Sequence, residues 1–74
     1  MPAPVGDNTV REHRRLAGLT QVQLATAGRV SRQSIVSIER GDYAPSVYLA
    51  LRLAAALGTT VETLFPLPEL EETR

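Results

Sequence analysis

Arg32, Gln33, Val36, Ser37 and Arg40 lie close together in the run TQVQLATAGRVSRQSIVSIERG, Thr20 to Gly41. At helical spacing Gln33, Val36, Ser37 and Arg40 share one edge, with Arg32 at its N-terminal shoulder. Gln carries a donor and an acceptor side by side, which matches N6 and N7 of adenine. Arg carries a planar fork that matches O6 and N7 of guanine. A Val can touch the methyl group of thymine, and a Ser can bond to any base edge. The chemistry these residue types suit is the reading of base edges in double-stranded DNA. They also suit the wet face of an amphipathic helix, and this edge alone does not choose between the two.

The choice depends on the elements that would hold the edge in place. Ser31 is a good N-cap, Arg32 to Arg40 contains no Gly or Pro, and Gly41 supplies a stop. Ile35 and Ile38 point inward from this helix, with Glu39 beside them. Upstream, Thr20 and Gln23 form a Thr-x-x-Gln capping box, and Leu24 and Ala25 make an inner face. Gly28-Arg29-Val30 is the turn between the two helices. Two short helices joined by a Gly-containing turn match the helix-turn-helix pattern, in which the second helix enters the major groove and the first crosses the backbone.

The stretch from Val10 to Phe65 resembles the small Xre/Cro-type helix-turn-helix regulators, the group that includes the phage repressors. GLTQVQLA, VSRQSIVSIERG, the APS after the next loop, LALRLAAALG and the closing VETLF carry the resemblance. It implies an all-α fold, a compact five-helix lambda-repressor-like domain with helices 2 and 3 as the helix-turn-helix. The implied function is sequence-specific binding of double-stranded DNA by a transcriptional regulator, a repressor by default. Arg32, Gln33, Val36 and Ser37 would contact bases; Thr20, Gln21, Arg29, Ser34, Arg40 and Tyr43 would contact the backbone. The family also pairs an Arg at position 14 with a Glu at position 39, which Arg14 and Glu39 satisfy here. Four positions depart from the pattern. His13 stands where an aliphatic residue is usual, and Tyr48 and Ala55 stand where charges are common. Arg29 occupies the place of a Gly, with the Gly one residue earlier; an Arg forced into a left-handed conformation is strained, so a rearranged turn is expected.

Composition narrows the field. Seventy-four residues make one domain with a modest core. There is no Cys, so no disulfide or thiolate chemistry is available. No apolar run approaches the ~18 residues of a membrane span, and no signal core opens the chain, which points to the cytoplasm. The formal net charge is zero, yet six of the eight arginines fall in the first 40 residues, against the acids Asp7, Glu12 and Glu39. Local fields count more than the total at groove distance, because salt screens the remainder.

Taken along the chain, residues 1–8 read as a flexible arm, 9–65 as the DNA-binding domain and 66–74 as an acidic tail. The first helix is expected from Thr9 to Ala17, with Thr9 and Glu12 as a capping box and Asn8 competing for the cap. Its inner stripe would be Val10, His13, Arg14 and Ala17, with His13 a packing residue. The fourth helix spans about Val47 to Leu57, its core stripe Val47, Ala50, Leu53, Ala54 and Leu57. Tyr48, Leu51 and Ala55 form a second apolar strip, which with Leu67 and Leu70 is either a dimer surface or a set of scattered surface apolar residues. Thr59 or Thr60 caps a fifth helix, and Leu64 and Phe65 close the core. A homodimer on a pseudopalindromic operator is the expected working form. An antitoxin-like module that binds a protein partner as well as DNA is the second reading. With one inward His and no Gly-rich phosphate loop or metal-spaced ligand cluster, no catalytic site, cofactor or metal is expected.

Overall fold

The computed structural model describes residues 8–67. Most of the expected arm, most of the acidic tail, and Leu70 lie outside them. Five helices make up the described part: α1 (Val10–Leu16), α2 (Gln21–Gly28), α3 (Arg32–Glu39), α4 (Val47–Leu57) and α5 (Val61–Leu64). No strand occurs among the described residues.

The helices begin where short polar side chains can satisfy their free N–H groups. Thr20, Ser31, Ser46 and Thr60 each accept from the backbone N–H three residues on. Thr20 and Gln23 complete a reciprocal capping box, at 3.0 and 2.8 Å. α1 starts differently. Thr9 makes no side-chain cap, and the Thr9–Glu12 box does not form. Asn8 Oδ1 instead accepts from Val10 N, while the Thr9 hydroxyl donates to Thr63 O at 2.9 Å. A bond to α5 thus outcompetes the local cap and ties the two ends of the domain together.

Val10, Leu24, Ile35, Ile38, Leu53 and Leu64 are fully buried, with Ala25, Leu49 and Ala54 around them. α2 sits between α3 and α4, and α1 closes over α3. Two residues assigned inward by periodicity lie outside. Ala17 is exposed, because α1 ends at Leu16 and Gly18 turns the chain away at φ 75°. Val47 is 73% exposed and Leu49 takes its place in the core. α4 meets α2 closely at Gly28, where a Cβ would lie 3.1 and 3.2 Å from the methyl carbons of Leu53 and Leu49. Its bare Cα leaves room for α4 on the Leu49–Leu53 side, the side of α4 that is buried.

Candidate nucleic-acid interface

α3 has two unlike sides. Ile35 and Ile38 are fully buried, whereas Arg32, Gln33 and Arg40 are exposed and Val36 and Ser37 half-buried. The exposed edge is lightly tied. Gln33 Nε2 reaches Ser37 Oγ only at 3.4 Å, and Arg32 has no ion pair among the described residues. Ser34 is held closer, its N–H donating to Ser31 Oγ and its hydroxyl 3.2 Å from the same oxygen.

The back of α3 is fastened from three directions. Arg14 Nε donates to Glu39 Oε2 at 2.6 Å and Nη2 to Oε1 at 3.3 Å, while Nη1 donates to Leu19 O at 2.9 Å. The two side chains are 11% and 4% exposed, so the pair sits in a low dielectric and its geometry is fixed by all three bonds. Gln21 Nε2 donates to Glu39 Oε1 at 3.2 Å, which binds α2 to the same carboxylate. At the same end Asn8 Nδ2 donates to Ile38 O at 2.8 Å, a second bond to a carbonyl in the last turn of α3 that also accepts from Gly41 N. His13 lies half-buried with Nδ1 3.0 Å from Thr9 O and 3.1 Å from its hydroxyl, a packing role inside α1.

The turn before α3 keeps its shape. Arg29 adopts the left-handed conformation, φ 62° and ψ 43°, and is the only non-glycine with positive φ among the described residues. Its N–H and that of Val30 cap α2, donating to Thr26 O and Ala25 O. The expected rearrangement does not occur: Arg29 itself takes the left-handed position, and the two capping bonds form around it. Arg52 Nε donates to Gly28 O at 2.8 Å and pins the turn from α4.

Around this edge stand the remaining candidates. Thr20 and Tyr43 are exposed, and Gln21 is half-buried against Glu39. Arg40 pairs with Asp42 at 3.3 Å in the open. An open cleft of about 400 Å³ separates α1 from α3, lined by Arg11, Arg15, Val36 and Arg40, with Arg14 and Glu39 also on its wall. No group of three or more potential metal ligands occurs among the described residues.

A helix-turn-helix family model matches residues 10–64. The chain belongs to the Xre-type helix-turn-helix family. Members are DNA-binding transcriptional regulators, and this chain is one of them. It is 49% identical over 61 residues to an uncharacterized HTH-type transcriptional regulator of Methanothermobacter thermautotrophicus, a match covering 81% of this chain and 88% of that protein. It is similar to the restriction-modification controller protein C.AhdI of Aeromonas hydrophila, with 36% identity and a TM-score of 0.70 over 76% of this chain and 85% of that one. It is also similar to the clp gene regulator ClgR of Corynebacterium glutamicum, at 36% identity and a TM-score of 0.69. That match covers 72% of this chain and 56% of ClgR, so this chain spans little more than half of that protein.

Sequence reasoning missed the bracing of the turn by Arg52, the hold of Asn8 on α3, and the place of Arg11 and Arg15 in the cleft. Only the last left a sequence trace: two arginines one helical turn apart on α1.

Proposed function

We propose that α3 lies in the major groove and reads base edges with Arg32, Gln33, Val36 and Ser37. The observation that carries this reading is the contrast between the two sides of α3. Its inner side is locked by Ile35, Ile38 and the Arg14–Glu39 pair, and its outer side carries donors and acceptors with almost no partner inside the chain. A rigid back and a free front are what discrimination among base pairs requires. Thr20, Gln21, Arg29, Ser34, Arg40 and Tyr43 contact phosphates around the groove. The Thr20 hydroxyl accepts from Gln23 N, leaving its own hydrogen to donate to a phosphate at the start of α2. Gln21 spends one amide hydrogen on Glu39 and keeps the other.

The working form is a homodimer that represses from a pseudopalindromic operator. Its contact face is the strip of Tyr48, Leu51, Ala55 and Leu67; Tyr48 is 75%, Leu51 51% and Leu67 87% exposed. Leu51, Ala55 and Leu67 border an apolar groove of about 1200 Å³ that runs between α4 and α5. That groove also favours a second reading, an antitoxin-like module whose partner protein seats there. Nothing in either reading calls for catalysis.

Selection of duplexes from a random pool tests the assignment. The parent is expected to recover two half-sites with centres ~34 Å apart. Gln33→Ala is expected to lose ~1–3 kcal/mol at one base position of each half-site and to relax specificity there. Recovery of the same sequences by the parent and the variant would remove Gln33 from the reading set.

A further inference from the structure

α1 carries three arginines, and only one of them meets an acid. Arg14 is spent on Glu39 and on Leu19 O. Arg11 and Arg15 are exposed and make no ion pair among the described residues. They stand at i and i+4, where like charges repel. Both line the cleft between α1 and α3, and Arg40 lines it from the other side. The carboxylate of Glu39 on its wall does not offset them, since Arg14 and Gln21 already bind both of its oxygens. Only Asp42 touches any of the three, holding Arg40 at 3.3 Å in a solvent-exposed pair of little strength. A concave surface lined by Arg11, Arg15 and Arg40, whose one carboxylate, Glu39, is already paired with Arg14, raises the local concentration of negative groups. It opens beside Val36, on the edge of α3 that faces bases in the reading above.

We propose that this cleft is a binding site for a phosphodiester of the duplex backbone, gripped by Arg11 and Arg15 from α1 and by Arg40 from α3. The proposal rests on the assignment of α3 to the major groove. Arg forks bond two phosphate oxygens at once, so the clamp fixes position as well as supplying charge. It anchors α1 to one strand and sets the depth and register of α3 in the groove. It also gives a chain of zero formal charge a concentrated set of phosphate contacts where they are needed.

The test is the salt dependence of binding by the full chain, read by anisotropy of a labelled duplex. Two duplexes are used: the sequence recovered by selection and a scrambled one of equal length. The double variant Arg11→Gln/Arg15→Gln is expected to flatten the slope of log K against log salt by about 1–2. Affinity should fall by the same factor on both duplexes, with the thermal melting temperature unchanged. Arg11→Lys/Arg15→Lys should restore the slope, because a phosphate accepts a point charge. Inorganic phosphate at constant ionic strength should not displace the duplex. Parental slope and affinity in the Gln variant would overturn the clamp, as would a loss confined to the selected duplex or displacement by inorganic phosphate alone. A parent that binds both duplexes equally, with a flat slope, would instead overturn the DNA assignment of α3 and the clamp with it.

Discussion

Arg14 joins α1 to α3 through a carboxylate that has almost no access to water. Removing one member of such a pair strands the other, which costs more than the pair contributes. Arg14→Ala is therefore expected to lose about 3–5 kcal/mol of stability. That is a large part of what a domain of this size possesses. Urea denaturation monitored by circular dichroism measures it as a drop in midpoint at constant slope. Arg14→Met combined with Glu39→Leu should recover most of the loss, because two apolar residues leave no buried charge behind. Recovery would show that the pair orients α3 and does not drive folding. Arg40 is the opposite case: its partner Asp42 is exposed, so little would be lost if the guanidinium left for a phosphate as proposed.

Among the elements, the turn between α2 and α3 carries the most local strain. Arg29 holds a left-handed conformation that costs a residue with a Cβ roughly 1–2 kcal/mol, while Gly at the same place raises the entropy of the unfolded chain by about 0.4–1 kcal/mol. Arg29→Gly should therefore stabilise the fold by about 0.5–1 kcal/mol, a melting temperature higher by a few degrees. Differential scanning calorimetry at fixed concentration checks it, and a fall would mean that the Arg29 side chain contributes contacts of its own. The same turn shows what local pattern reveals. Caps at Thr20, Ser31 and Ser46 are read from four consecutive residues, so they were legible. The left-handed demand at position 29 was legible, but the turn's keeping its shape with an Arg there was not. Periodicity places Leu49 and Val47 within reach of one face and cannot say which is buried; a neighbouring helix decides that. The Thr9 box failed for a similar reason, since a bond to Thr63 across the domain is invisible in the local sequence. At the interface, the outward residues of α3 followed from helical spacing, whereas the meeting of Arg11 and Arg15 with Arg40 depends on how α1 crosses α3.

At the scale of the whole molecule, the proposed reading helix offers few contacts, so the proposed homodimer would gain affinity by presenting two at once. Leu51→Asp places a charge in the middle of the exposed strip on α4 without touching the core. Sedimentation equilibrium should find the variant monomeric where the parent is dimeric. Operator affinity should fall by about 10²–10⁴, the gain that linking two sites provides. A monomeric parent, or a variant that still dimerises, would move the contact face elsewhere and favour a protein partner in the α4–α5 groove. The division of labour within α3 has a further consequence. None of Arg32, Gln33, Val36 and Ser37 belongs to the buried set that holds the domain together. Surface changes of this kind shift stability by roughly ±0.5 kcal/mol or less. If these residues read bases as proposed, mutational drift could rewrite the target of a duplicated copy in a few steps at little cost to the fold, so new regulatory circuits could arise without passing through broken proteins.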